Sequence, residues 1–368
     1  MNNWTISARK NITVLSPDQE AVFSFDLEGR PVSWYQNDHI YKRSLASRIH
    51  TRERVGGRRV RAVLPEADAA ESYRQLLDQI ANAPIPVDDP DQQDRLQRIL
   101  AWTPERLLEE KHRFNRIYRP VSILPPDQYL AVVLQATFGC TWNRCTFCSF
   151  YQDREFACRT TEEFEDHCAG VTEFLGEGLS LRRSIFLADG NALVLSRDRL
   201  FPILETATAH FPGMPVHGFV DVFSGERRTS AEWSELRELG LERVHVGLET
   251  GADELLAWLN KPGSAEESFG FVSTLKEAGL KVALIFMVGA GGRRFAEQHR
   301  VATIALAERL PLQKGDIVYL SPFQSDDTGA NSFSDDEIEL ELTVLQDRIR
   351  QAAPEAIVTR YDIREFLY

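Results

Sequence analysis

From about residue 128 onward the chain alternates short apolar runs with longer segments whose apolar residues recur three and four positions apart, and this rhythm constrains the fold more than any other feature. Runs at 130–136, 184–188, 216–222, 243–248, 281–288 and 316–320 read as strands. Segments at 160–176, 197–210, 230–239, 265–278 and 296–310 read as helices with one buried face. Strand, helix and strand in that order feed a parallel sheet, so the expected class is α/β, and six such repeats make a partial (βα)6 TIM-like barrel. Gly240 and Gly279 fall just past two helical segments, where a residue free to turn left-handed ends the last turn. Polar residues and glycines collect after the strand ends, at 138–148, 189–191, 249–251 and 289–292, the face on which parallel βα architectures assemble their sites.

Residues 1–127 lack this rhythm and read as an N-terminal α+β accessory region. Asp26, Leu27, Glu28 and Gly29 supply turn chemistry between two apolar stretches, giving a hairpin over 23–35. Helical stretches at 67–83 and 92–117 follow, separated by a proline- and aspartate-rich linker at 84–90. The core is expected over 128–323, and 324–368 reads as a polar loop, a last helix and a tail.

No run approaches the roughly 18 apolar residues of a membrane span, and the N-terminus has no apolar stretch behind a basic start, so no membrane association and a cytoplasmic location are expected. A formal charge of −13 disfavours general attraction to nucleic acid. The stretch 42–61 runs the other way, with Lys42, Arg43, Arg48, Arg52, Arg54, Arg58, Arg59 and Arg61 against Glu53 alone. It is either a solvated basic face or a site for phosphate or another anionic group, with Arg52, Arg58 and Arg59 as first candidates. His217 and His245, single histidines on strands, read as packed or hydrogen-bonded.

Three of the five cysteines, Cys140, Cys145 and Cys148, fall within nine residues directly after the first core strand. An odd count so clustered argues for a metal site in a reducing compartment rather than for disulfides. Three thiolates can ligate three irons of a four-iron cluster and leave the fourth iron open. The alternative is zinc, which would need a fourth ligand from Cys158, His167 or Cys168.

The cysteine loop, with Phe147 just before its last cysteine, resembles that of the radical S-adenosylmethionine (SAM) superfamily. It has four residues between the first two cysteines where the common spacing has three. The resemblance runs from about 130 to 323. It implies a [4Fe–4S] cluster on Cys140, Cys145 and Cys148, and a bound SAM cleaved reductively to a 5′-deoxyadenosyl radical that takes hydrogen from a substrate. It also implies SAM contacts. Asp189, Gly190 and Asn191 stand where the family meets the SAM amino group, and Glu249 stands where it meets the ribose or methionyl part. Gly289 and Gly291 belong to a stretch similar to the family's adenine-side glycine motif, and Ser321 to the adenine-flanking segment. Glu249 also reads simply as a carboxylate at a helix N-terminus.

Only Cys158 and Cys168 remain for a second cluster, and no Asp-x-His-x-x-Gly sequence of the cobalamin-dependent kind is present. The pattern is most similar to the branch containing oxygen-independent coproporphyrinogen oxidase. A small-molecule or peptide substrate and a reductant such as flavodoxin or ferredoxin are expected. The competing readings are an RNA-modifying radical SAM enzyme and a non-catalytic iron–sulfur redox or sensor protein.

Overall fold

A computed structural model of the chain describes residues 4–17, 21–56, 58–323, 331–361 and 368. They fall into two compact units. Met1–Val121, Ala169–Arg183 and Leu367–Tyr368 make one, and Ser122–Cys168 with Ser184–Phe366 the other.

In the first unit, β1 (Thr5–Ala8), β2 (Thr13–Ser16), β3 (Val22–Phe25), β4 (Pro31–Gln36), β5 (His39–Arg43), β6 (Ile49–Val55) and β7 (Arg58–Val63) pair in sequence order as an antiparallel meander. The hairpin expected at 23–35 is β3 and β4 of this larger sheet. Gly29 turns it with a φ of +81°, and a Cβ there would lie 2.5 Å from the backbone of Arg98. One face, carrying Leu15, Phe23, Phe25, Trp34 and Ile49, packs on Tyr73, Leu76 and Leu107 from α1 (Glu66–Ala81) and α3 (Pro104–Ile117). The helix expected over 92–117 is broken in two. α2 (Pro90–Leu100) ends, and Thr103 caps α3 by accepting from the Arg106 amide, with Pro104 at its first position.

In the second unit, β8 (Ala131–Gln135) leads into β9 (Thr137–Phe138), which pairs antiparallel with β10 (Ala157–Cys158). Then β11 (Ser184–Ala188), β12 (Val216–Phe219), β13 (Leu241–Glu249), β14 (Lys281–Val288), β15 (Ile317–Pro322) and β16 (Ile357–Arg360) complete a parallel sheet in the order β8-β11-β12-β13-β14-β15-β16. The edges β8 and β16 do not pair, so the barrel is open. All six expected strands are present, and β16 is a seventh, lying between the last helix and the expected tail. The connecting helices are α4 (Thr161–Leu175), α5 (Arg197–His210), α6 (Val222–Gly225), α7 (Ser230–Glu238), α8 (Asp253–Trp258), α9 (Ala265–Glu277), α10 (Gly292–Arg309) and α11 (Asp335–Ala352). The strand expected over 216–222 stops at Phe219 because the Asp221 side chain accepts from the Ser224 amide and starts α6. Thr229 and Ser334 form capping boxes with Glu232 and Glu337 at α7 and α11. No helix among the described residues is long and apolar enough to cross a membrane.

Candidate active site

The cysteine loop is an excursion from the sheet, closed at its base by the β9–β10 pairing and opened by Gly139 at a φ of +74°. Its far side is fastened to the chain beyond α8. The Trp142 indole donates to the Asn260 carbonyl (2.8 Å), the Asn260 amide side chain donates to the Arg144 carbonyl (2.8 Å), and the Thr146 amide donates to the Leu259 carbonyl (3.0 Å). Phe147 packs against the cluster formed by Leu255, Leu259, Met287 and Phe295, which accounts for an aromatic residue just before the last cysteine. Cys140, Cys145 and Cys148 are half-buried free thiols on one cavity of about 220 Å3.

The rest of the wall comes from the C-terminal ends of the parallel strands: Gly190 after β11, Asp221 after β12, Gly247 and Glu249 of β13, Met287 of β14, Ser321 of β15 and Tyr361 after β16. Phe147, Phe150, Phe219 and Ile285 make much of it apolar. Burial pushes the Cys145 thiol up to about 12; Glu249 and the two other thiols add to this and Lys261 opposes it. Burial raises Cys148 in the same sense. Buried thiols that hold their protons suit a ligand set whose negative charge appears only when a cationic metal centre replaces the protons.

A zinc site completed by downstream residues does not fit this geometry. The Cys158 sulfur is 2.6 Å from an Arg199 guanidinium nitrogen, the His167 Nε2 accepts from the Gln135 amide at 3.0 Å, and Cys168 is buried in α4; none of the three lines the cavity. Three thiols with no imidazole among the described wall residues match a cluster held by three protein sulfurs.

The residues expected near SAM divide into those on the cavity and those behind it. Gly190, Glu249 and Ser321 line it. Gly190 has to be glycine, since a Cβ would come 2.6 Å from the Tyr151 ring and 3.1 Å from the Gly139 carbonyl. Asn191 donates to the Thr141 hydroxyl at 2.9 Å and to Asp221, while its buried Oδ1 has no partner among the described residues. Asp189 lies behind this row, buried and paired with Arg154 at 3.1 Å. Burial outweighs that guanidinium and raises the carboxyl to about 7. Gly289 and Gly291 are not on the wall. Both have positive φ, and their Cβ positions face Phe333 at 3.3 Å and Phe295 at 2.6 Å, so they shape the turn into α10.

Glu249 ends β13 and binds the Lys261 ammonium at 2.7 Å; the N-cap of α8 is Ala252 instead. Lys261 is absent from the sequence reading. It lies on no periodic element, in Asn260-Lys261-Pro262-Gly263, and only the fold carries it to Cys145. Tyr361 begins the expected tail, and only the unexpected strand β16 before it carries it to the cavity. Its buried hydroxyl has no partner among the described residues.

Away from the cavity, Asp127 accepts from His245 Nε2 (3.0 Å), the Tyr319 hydroxyl (2.8 Å), Arg243 (2.8 Å) and Gln128 (2.8 Å), and His217 Nδ1 is 2.9 Å from Gln128. The two strand histidines are thus hydrogen-bonded, as read. The basic stretch 42–61 falls in β5, β6 and β7; the side chains of Arg58 and Arg59 lie outside the described residues.

Residues 134–304 match the family model described as the Radical SAM superfamily. No curated protein matches the sequence. Among solved structures, similarity is found to the cobalamin-dependent SAM radical enzyme OxsB with aqua-cobalamin bound, at 16% identity over 61% of this chain and 32% of that one, with a TM-score of 0.42. Methylornithine synthase (PylB) is similar at 16% identity over 80% and 85%, TM-score 0.44. Coproporphyrinogen III oxidase (HemN) from Escherichia coli, a radical SAM enzyme, is similar at 14% identity over 66% and 56%, TM-score 0.42. The chain spans about a third of the length of OxsB. The matched family span holds the whole cysteine loop and the ends of β11, β12, β13 and β14, and it is this part of the chain, residues 134–304, that is identified with the radical SAM superfamily, whose enzymes use a [4Fe–4S] cluster and SAM.

Proposed function

We propose that this chain holds a [4Fe–4S] cluster on Cys140, Cys145 and Cys148 and cleaves SAM reductively to abstract hydrogen from a small-molecule or peptide substrate. The observation that carries this reading is the convergence of three thiols and the Glu249–Lys261 ion pair on one largely apolar cavity. When bound, the cluster and SAM supply the electron transfer and the radical; the protein binds, orients and excludes water.

The chain's residues suit those tasks. SAM ends in an amino-acid zwitterion, and a buried Lys–Glu pair can exchange partners with one, Lys261 taking its carboxylate and Glu249 its ammonium. The unpartnered Asn191 Oδ1 is a second acceptor for the ammonium, and Ser321 offers a hydroxyl at the other side of the cavity. Asp189 works from behind, fixing Arg154 and through it the loop after Cys148. Gly289 and Gly291 set the course of the chain from β14 into α10. A flavodoxin- or ferredoxin-type reductant is part of the proposal.

The test is anaerobic reconstitution with iron and sulfide, then dithionite and SAM, with 5′-deoxyadenosine read by chromatography. Wild type is expected to produce it and Cys145→Ala to produce none. A fully loaded cluster that leaves SAM intact would favour a redox or sensor role.

A further inference from the structure

Toward the end of the parallel sheet away from the cysteine loop, three elements bring two imidazoles and a carboxylate together. Asp127 comes from the turn Pro126–Gln128 before β8, His217 from the start of β12 and His245 from the middle of β13. One ligand atom of each lies within 4.8 Å of the other two. None of the three residues lines the cavity. The Phe219 ring, which does, stands 5.7 Å from the His245 ring, and the Phe186 ring stands 5.5 Å from it. The group is thus distinct from the three thiols.

Hydrogen bonding accounts for only half of each ring. Gln128 meets Nδ1 of His217 and Asp127 meets Nε2 of His245, which leaves His217 Nε2 and His245 Nδ1 buried with no partner among the described residues. Buried polar atoms so left are unfavourable, and apolar side chains of similar size would fill the space without them. Metal ligation asks for neutral rings, an ionised carboxylate, outer partners that hold the ligands and a way in. Burial, then the neighbouring His245, lowers His217 to about 3, so its ring is neutral. Against burial, His245, Gln128 and Tyr319 hold the Asp127 carboxyl below its usual range. The Tyr319 hydroxyl donates to Oδ1 and Arg243 to Oδ2, both at 2.8 Å, which fixes the carboxylate. The Asp127 side chain is 17% exposed, and an ion can enter there.

We propose that Asp127, His217 and His245 bind a divalent transition-metal ion, zinc in the first place. Two imidazoles with one carboxylate suit that class better than magnesium or calcium, which take oxygen ligands. Ligand atoms about 2.0 Å from a tetrahedral zinc stand about 3.3 Å apart. Asp127 Oδ1 and His245 Nε2 are already 3.0 Å apart, and no pair in the group has to close by more than about 1.5 Å. Water would take the fourth position.

The experiment uses the full chain carrying Cys140→Ser, Cys145→Ser and Cys148→Ser, so that the cysteine loop does not compete. It is stripped with a chelator and titrated with Co2+, the spectroscopic stand-in, and then with Zn2+. A single Co2+ per chain is expected, with the visible bands of nitrogen and oxygen ligation and no thiolate charge-transfer band, displaced by an equivalent of Zn2+. His217→Gln and His245→Gln should each weaken binding by more than the roughly 10–100-fold loss that removal of an outer partner brings. His210→Gln on α5 should leave it unchanged. If both histidine variants melt early, X-ray absorption at the zinc edge of the chain with its histidines intact should show imidazole and oxygen neighbours. No binding, an affinity indifferent to the two substitutions in folded chains, or a zinc shell without imidazole would each overturn the proposal.

Discussion

The two sheets of this protein bury their strands differently, and the difference shows in how each reads as sequence. In the parallel sheet, β8 and β11 are buried at every position, and β14 at all but its first. In the antiparallel sheet β3 alternates, with Phe23 and Phe25 enclosed and Val22 and Ser24 open to solvent. A strand covered on both sides must be apolar throughout; a strand covered on one side needs only every second residue.

The largest effects should separate the two sheets by testing neighbours in pairs. Phe186→Ala and Leu187→Ala, adjacent on β11 and both fully enclosed, should each cost about 2–5 kcal/mol in denaturant unfolding. On β3, Phe23→Ala should cost as much, whereas Ser24→Val should stay within about 0.5 kcal/mol. A cheap Leu187→Ala would break the comparison. Next, Lys261→Met leaves Glu249 buried without its cation, with an expected loss of about 3 kcal/mol that Glu249→Leu in the same chain largely restores. A loss under about 1 kcal/mol would mean that water reaches the carboxylate and that the cavity end of the parallel sheet is not dry.

Acid sensitivity should also belong to the parallel unit. His299 on α10 bonds to the Met287 carbonyl of β14 (2.8 Å) and to Thr250 (2.7 Å), and burial lowers it to about 4. The folded protein therefore keeps it neutral while the unfolded chain takes up a proton below about pH 6.5. Stability is full above that value and falls as pH drops toward about 4. Between about pH 7 and pH 5 the loss from this residue is roughly 2 kcal/mol, and His299→Gln should flatten that part of the profile. The smallest expected effect is at the last helix: Ser334→Ala removes the capping box of α11 and should cost about 1 kcal/mol, read as a lowered melting temperature.

What the sequence disclosed follows the same division. The runs at 184–188 and 281–288 coincide with β11 and β14 because both faces demanded apolar residues there. Only β3 and β4 were legible among the seven antiparallel strands, since β5, β6 and β7 place Lys42, Arg52 and Arg61 on their open side and so resemble a basic loop. At the candidate site, the thiols and Glu249 announced themselves by spacing and position. Lys261 did not, because its role depends on a fold that returns the chain after α8 to the cysteine loop. Gly289 and Gly291 show the converse: a motif visible in sequence whose glycines serve the turn into α10 rather than the cavity surface.

The placement of Tyr361 sets an order of events during synthesis. Cys140, Cys145 and Cys148 leave the ribosome early, while the wall residue after β16 emerges roughly two hundred positions later, an interval of about 10–40 s at typical translation rates. The thiols are therefore made long before the compartment that encloses them can close. Any factor that delivers iron and sulfide has that interval in which to reach them before Tyr361 takes its place in the wall.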